Sequence, residues 1–172
     1  MKPITLIALS TAFLLATGAR AEHREHRDDD RLVRIAKKLQ AATYDVHCTA
    51  VEYTHHPHRA ERKAIKRLER LAERARKFAR KVERHPYDLR HVRKDYRKLV
   101  DAYRDAAYSL RYLRNRHVDD EFDRVDRLMD RLERRMERRY QRDYRRYDHD
   151  HDGRRYAYDR VHDFGFGWRR WR

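Results

Sequence analysis

Residues 89–113 have the sequence L-R-H-V-R-K-D-Y-R-K-L-V-D-A-Y-R-D-A-A-Y-S-L-R-Y-L, in which apolar side chains recur every three or four residues. The recurring positions are Leu89, Val92, Tyr96, Leu99, Tyr103, Ala106, Leu110 and Leu113. This spacing places the apolar side chains on one face of a helix, and it matches the seven-residue repeat of coiled-coil packing. The stretch therefore predicts one long amphipathic helix over about 87–116.

Three other stretches show the same apolar spacing and are separated by short breaks. The breaks are H-H-P-H at 55–58, H-P at 85–86 and N-R-H-V at 115–118. The whole chain has four glycines and three prolines, so it contains few of the residues that normally interrupt helices. The pattern predicts further helices over about 29–54, 58–85 and 119–146.

Four helices of similar length with short connections are expected to lie antiparallel to their neighbours. The predicted fold is therefore all-α, an up-down-up-down antiparallel four-helix bundle over residues 29–147. An irregular polar and aromatic tail follows at 148–172. An open pair of long hairpins that closes only as a dimer is the alternative, so both a monomer and a homodimer remain open.

The N-terminus has the features of a cleavable secretory signal. Lys2 supplies a basic start, residues 4–16 form a short apolar run, and A-R-A at 19–21 matches a cleavage site. The expected mature chain begins with a polar lead at 22–28 and has no later segment that is apolar enough to span a membrane. The predicted location is the bacterial periplasm or the exterior.

The chain is strongly basic, with 45 Lys and Arg against 29 Asp and Glu, a net charge of +16. The excess is concentrated in two regions. Residues 59–85 have twelve basic and four acidic side chains, and residues 87–117 have nine and four. The other two helical regions, 28–58 and 119–147, are close to neutral. Arginine pairs with carboxylates and phosphates in bidentate geometry, so a basic hairpin favours anionic partners.

The predicted polyanion-binding residues are the regularly spaced cations of this hairpin. They are Arg62, Lys66, Arg70, Arg74, Lys77, Lys81, Arg90, Arg93, Lys94 and Arg97. The partners expected for them are anionic polymers, lipopolysaccharide or client proteins. The export signal argues against nucleic acid as the native partner, although the charge alone would allow it. A solvated surface without a ligand is the alternative, because many charges alternate in sign.

Motifs of common enzymes are absent from the sequence. It contains no G-x-S-x-G, no P-loop, no dinucleotide fingerprint and no haem-attachment C-x-x-C-H. We therefore expect a non-enzymatic protein. In its signal, size, helices and positive charge the chain resembles periplasmic stress chaperones of the Spy/CpxP type, which implies a role in envelope stress. The L-T-x-x-Q motifs of that group are missing, so no residue role is transferred.

Histidine and cysteine side chains suggest an alternative function as a metal-binding or metal-buffering protein. Cys48, Glu52 and His55 are spaced i, i+4, i+7 and would share one helix face. The bundle topology would bring His56, His58 and His117 to the same end. Such ligands suit zinc, copper or nickel. Cys48 is the single cysteine, so it is a free thiol, a metal ligand or an intermolecular bridge, and the histidines are otherwise loop residues without metal.

The tail contains two further candidate sites. Asp148, Asp150, Asp152 and Asp159 occupy positions 1, 3, 5 and 12 of a calcium-loop pattern, although an arginine replaces its apolar anchor at position 8. Calcium, a transition metal and a plain polar tail all remain open. The end W-R-R-W-R combines aromatic and cationic groups that suit anionic lipid head groups. Its residues are Trp168, Arg169, Arg170, Trp171 and Arg172.

Overall fold

The computed structural model describes the backbone of residues 10–86 and 88–150, and the side chains of residues 30–86, 88 and 91–141. The regular structure in this part of the chain consists of helices without strands, which confirms the predicted all-α four-helix bundle. The helices are α1 (Ser10–Glu52), α2 (Arg59–Arg84), α3 (Leu89–Ser109) and α4 (Arg116–Asp150). A short 3₁₀ turn, Leu110–Tyr112, follows α3.

The helices contact one another in chain order, and the first also contacts the last. Helix α1 packs against both α2 and α4, and α2 also packs against α3. Helices α3 and α4 meet through the stacked rings of Tyr103 and Phe122, whose centroids are 5.6 Å apart. Helices α2 and α4 therefore lie at opposite corners of the bundle.

Contacts between α1 and α4 run in opposite directions along the two helices. The Tyr53 ring stacks on His117 at 4.8 Å near the end of α1 and the start of α4. About two turns earlier in α1, Asp45 pairs with Arg124, which lies two turns later in α4, with 3.8 Å between the charged atoms. This direction is consistent with the antiparallel arrangement of the predicted bundle.

The predicted apolar stripes form the core. The largest fully buried side chains include Leu32, Leu39, Leu68, Leu71, Phe78, Tyr96, Leu99, Met129, Leu132 and Met136. The rings of Phe78 and Tyr96 lie 6.0 Å apart in a tilted arrangement, and they join α2 to α3 at the centre of the bundle. All four helices contribute to one continuous cluster, as expected for a single domain of this length.

Helix α2 begins and ends within one residue of its predicted bounds. Its N-terminal cap is His58, whose backbone N–H donates a hydrogen bond to a carboxylate oxygen of Glu61 at 2.9 Å. This contact satisfies one of the amide groups that a helix N-terminus leaves without a partner. The helix ends at Arg84, immediately before the predicted break at His85 and Pro86.

The third helix ends seven residues earlier than predicted, at Ser109 rather than 116. The Ser109 hydroxyl is buried and donates to the carbonyl of Ala106 at 2.7 Å, and the chain then tightens into the 3₁₀ turn. Arg114 has a φ of 44°, in the left-handed region that helices cannot continue through. Because Arg114 is not a glycine, residue type alone does not signal this helix end.

The fourth helix begins three residues earlier than the predicted Asp119. The side-chain oxygen of Asn115 accepts hydrogen bonds from the backbone N–H of His117 at 2.9 Å and of Val118 at 3.4 Å. Asn115 therefore caps α4, a role that asparagine commonly has. Helices α1 and α4 also extend beyond their predicted bounds at the outer ends, to Ser10 and to Asp150.

Candidate anion-binding surface

The outer side of α2 has a row of exposed cations. Between residues 62 and 80, five cations on this side are exposed and form no ion pair with any residue that the structure describes. We call these five residues the α2 surface: Arg62, Lys66, Arg70, Arg76 and Arg80. The helix has 26 residues, and the row from Arg62 to Arg80 covers about 27 Å of its length. Rows of cations without intramolecular partners are available to an external anion.

The other predicted cations of α2 are placed differently. Arg74 and Lys81 are half-buried beside the core. Lys77 is exposed, but its ammonium group donates to Glu73 at 2.5 Å. These three residues are less accessible to a ligand than the α2 surface, although their spacing along the chain is similar.

A groove of about 1000 Å³ runs between α1 and α2. Its α2 wall includes Lys66, Arg70, Arg76 and Arg80, and its α1 wall includes Lys37, Gln40, Tyr44 and His47. Sequence reasoning selected Lys66 and Arg70 but missed Arg76 and Arg80. Arg76 and Arg80 directly follow the buried residues Ala75 and Ala79, which places them at the edge of the apolar stripe. The sequence does not show which neighbouring helix that edge faces.

Three acidic side chains line the groove; Glu73 and Glu83 are paired with lysines, whereas Glu69 is exposed and forms no ion pair with a described residue. The Lys37 ammonium pairs with Glu83 across the groove at 2.6 Å, and Lys77 pairs with Glu73. In each case the hydrogen bond from the lysine, followed by its charge, lowers the pKa of the carboxyl group. Lys66 and the three arginines therefore outnumber Glu69 among the unpaired charges of the groove, and a ligand would meet a net positive charge.

Replacing Lys37 by methionine is expected to raise the pKa of Glu83 towards its ordinary value, because the main hydrogen bond to that carboxylate is lost. In the native protein this pKa is lowered, so the pair stabilises the fold at pH values above the ordinary carboxyl pKa. That stabilisation disappears as the pH falls through the lowered value. Carboxyl ¹³C NMR titration measures the shift. The pKa of Glu73 should stay lowered in the same variant. An unchanged pKa of Glu83 would contradict its ion pair with Lys37.

The predicted cations of α3 do not join the α2 surface. Lys94 is exposed, and the side chain of Arg90 lies outside the described residues. Arg93 and Arg97 are half-buried, their Nε atoms are buried, and both already interact with other groups. By helical position they lie on the same side of α3 as Tyr96, which points towards α4.

Helix α4 presents acidic residues to this side of α3. The Tyr103 hydroxyl donates a hydrogen bond to Asp126. Burial raises the pKa of Tyr96, and the negative charges of Glu133 and Glu137 raise it further. Glu133 itself is only 5% exposed. We call this zone the polar seam; it comprises Arg93, Tyr96, Arg97 and Tyr103 on α3, and Asp126, Asp130, Glu133 and Glu137 on α4.

The outer side of α4 has a row of arginines that sequence reasoning missed. They are spaced i, i+4, i+7, i+11, all four are exposed, and none forms an ion pair with a described residue. We call them the arginine stripe of α4: Arg127, Arg131, Arg134 and Arg138. The acids of the polar seam hid this row in the near-neutral charge count of residues 119–147. The helical spacing of the bases could have separated the two faces.

The predicted metal ligands at the loop end do not form a cluster. Among the side chains that the structure describes, no three His, Cys, Asp or Glu residues come close enough to hold a metal ion. His117 stacks on Tyr53, and the His58 ring contacts the Glu61 carboxylate at 2.5 Å. The structure thus gives His58 and His117 contacts to protein groups, without bringing them together as ligands.

The remaining predicted ligands are exposed on α1 or in the loop after it. Cys48 is an exposed free thiol, and its hydrogen bond with Tyr44 is the main cause of the raised pKa of that tyrosine. Glu52, His55 and His56 are also exposed. His56 has a left-handed backbone, with a φ of 56°, at the turn between α1 and α2.

The candidate sites of the tail lie mostly outside the described residues. Asp148 and Asp150 are in the last turn of α4. Asp152, Asp159 and the W-R-R-W-R end at 168–172 are outside the described part of the chain. The calcium-loop and lipid-binding predictions therefore stay predictions.

None of the helices in the described part of the chain combines the length and the apolar composition that a membrane span requires. Comparison with known protein families, with curated proteins and with solved structures finds no match for this chain. A proposal about its function therefore depends on the geometry and charge of its own surface.

Proposed function

We propose that this protein is a non-enzymatic, exported helical bundle that binds anionic polymers of the bacterial cell envelope through the α2 surface. The observation that supports the proposal is the row of five exposed cations without acidic partners along α2. Such cations would gain partners on binding without breaking an ion pair within the protein. Neutralising a polyanion also releases its condensed counterions, which favours association.

The spacing of the cations suits a chain with repeated anionic groups. Lys66, Arg70, Arg76 and Arg80 follow each other at intervals of about 6, 9 and 6 Å along the helix axis. All four line the groove between α1 and α2, where a linear polymer could lie against the bundle. Guanidinium groups pair with phosphate or carboxylate groups through two parallel hydrogen bonds, so three arginines would orient the polymer as well as attract it.

Export through the predicted signal is compatible with this fold. The described core begins at Leu32, so cleavage after Ala21 would remove part of α1 but none of the described core residues. The mature protein would then begin at Glu22. Its net positive charge would draw it to the phosphate-rich surfaces of the envelope.

The proposal is tested by titrating the mature protein with long-chain polyphosphate and with lipopolysaccharide at two salt concentrations. With about four phosphate contacts, affinity should fall roughly 50-fold to 150-fold between about 50 mM and about 200 mM NaCl. Replacing Lys66, Arg70, Arg76 and Arg80 by glutamine should weaken binding at low salt. Dextran, an uncharged polymer, should not bind.

Two outcomes would contradict the proposal. In the first, the wild-type protein shows no binding to either polyanion, or binding that does not depend on salt. In the second, the glutamine variant binds as tightly as the wild type, which would exclude the α2 surface. Binding only to an unfolded neutral protein would instead favour a role with client proteins.

A further inference from the structure

The arginine stripe of α4 is a second cationic face that is separate from the α2 surface. Its four guanidinium groups are exposed over eleven residues, or about 16 Å of helix. The acids of α4 do not neutralise it, because Asp126, Asp130, Glu133 and Glu137 lie on the side of the helix that meets α3. The same helix is thus acidic towards α3 and basic towards solvent.

The two cationic faces lie at opposite corners of the bundle. Helices α2 and α4 are each adjacent to α1 and α3 and are diagonal to each other. Neighbouring helix axes are about 10 Å apart in such bundles, so the diagonal axes are separated by about 14 Å. With side chains included, the outer faces are about 24 Å apart.

The surfaces between the two faces are less basic than the faces themselves over part of their length. Residues 28–58, which include the side chains of α1 that the structure describes, have four basic and five acidic side chains. The four basic residues, Arg31, Arg34, Lys37 and Lys38, are exposed before the middle of this stretch, whereas exposed Tyr44, Cys48 and Val51 bring no positive charge to its second half. On α3, exposed Asp101 and Asp105 flank Arg104. A single polyanion that wrapped around α3, or around the second half of α1, would therefore cross neutral or acidic zones.

We infer that the bundle binds two phosphate-bearing polymer chains at once, one on the α2 surface and one on the arginine stripe of α4, and so bridges them. This inference rests on the proposed function. A separation of about 24 Å is two to three times the screening length of about 8 Å at physiological salt. The two bound polyanions would therefore repel each other weakly, and occupation of one face would leave the other available.

The test uses particles coated with long-chain polyphosphate, and it measures protein binding and particle clustering separately. Wild-type protein should bind the particles and cluster them, as seen by light scattering, and excess free polyphosphate should disperse the clusters.

A variant with Arg127, Arg131, Arg134 and Arg138 replaced by glutamine should still bind the particles, but it should cluster them about tenfold less than the wild type. The charge-matched variant with Lys66, Arg70, Arg76 and Arg80 replaced should bind more weakly and also lose clustering. Glutamine is a good helix former and all eight positions are exposed, so both variants should keep their helical circular dichroism.

Bridging by one bundle is distinguished from bridging by a dimer through Cys48→Ser. This variant should cluster particles as well as the wild type, since each bundle has both faces and needs no intermolecular disulfide. The inference is overturned if Cys48→Ser abolishes clustering, or if the α4 variant clusters particles like the wild type. In either case binding by the wild type would still support the proposed function. If the wild type does not bind the particles at all, the proposed function fails as well.

Discussion

Replacing Phe78 by alanine is expected to lower the free energy of unfolding by about 3–5 kcal/mol, the usual range for a large buried aromatic residue. Phe78 is completely buried on α2, and its ring lies 6.0 Å from that of Tyr96 on α3. The substitution removes apolar contacts and leaves a cavity between two helices that cannot fully close it. Because Tyr96 is also fully buried, its ring would lose a contact on the α2 side.

Chemical denaturation of the mature protein, followed by circular dichroism at 222 nm, measures this loss. Tyr108→Ala is a suitable control, because Tyr108 is another aromatic residue of the bundle but is 59% exposed. Its replacement should change the stability by about 0.5 kcal/mol or less. Equal losses in the two variants would contradict the central position of Phe78.

Replacing Glu133 by alanine is expected to lower the free energy of unfolding by about 3 kcal/mol, because removal of one member of a buried charged group leaves the others uncompensated. Glu133 is 5% exposed and one of its carboxylate oxygens is buried. The opposite wall of the polar seam holds Arg93 and Arg97, whose Nε atoms are buried. Without the carboxylate, these cations would have less negative charge near them.

The pKa of Tyr96 provides a second measurement in the same variant. The charge of Glu133 contributes to raising that pKa, after burial, so Glu133→Ala should lower it. Alkaline titration of tyrosine absorbance detects this change in direction. Asp123→Ala is the matched control, because Asp123 is an exposed acid of the same helix, and it should affect stability by about 0.5 kcal/mol or less. A Glu133 variant as stable as the Asp123 variant would exclude a structural role for the seam.

The core could be predicted from sequence because it depends on spacing alone. Val92, Tyr96, Leu99 and Tyr103 were placed on one face by their three- and four-residue steps, and all are buried. Helix α2 was also predicted closely, since His85 and Pro86 follow its end. Proline lacks the amide hydrogen that a helix interior needs, so it is a dependable signal.

Helix ends without proline or glycine were predicted less well. The end of α3 depends on the Ser109 hydroxyl, on a 3₁₀ turn and on Arg114 in a left-handed conformation. At this end, hydrogen bonds from side chains to the backbone compete with the hydrogen bonds of the helix, and residue types only weakly determine the outcome. The start of α4 could be predicted more easily from sequence, because Asn115 is a typical capping residue and directly precedes the helix.

The charged surface was predicted in part. Summed charge identified α2 as basic, and five of its exposed cations indeed have no acidic partner among the described residues. The net charge of residues 119–147 did not reveal the arginine stripe of α4, because a net charge ignores the direction in which each side chain points. The summed charges also assigned Arg93 and Arg97 to the open surface, whereas both residues are half-buried. Which helix lies beside which edge is decided by packing of all four helices together.

The polar seam has a consequence for how α3 and α4 are aligned along their length. An apolar heptad repeat looks similar after every seven residues, so it would tolerate a slip of about 10.5 Å between the two helices. In the observed register Tyr103 is level with Asp126, and Tyr96 is close to Glu133. A slip of one heptad in one direction would carry Phe122 past the end of α3 and off the Tyr103 ring.

A slip in the other direction would bring Glu133 level with residue 89 and would move Asp126 seven residues away from Tyr103. The hydrogen bond from the Tyr103 hydroxyl to Asp126 would then be lost, so this alignment is also disfavoured. The charged groups between α3 and α4 thus select one register from several that the apolar residues alone would permit. The same groups fix the position of α4 along the bundle axis relative to α3. They therefore determine where along the bundle Arg127, Arg131, Arg134 and Arg138 face solvent.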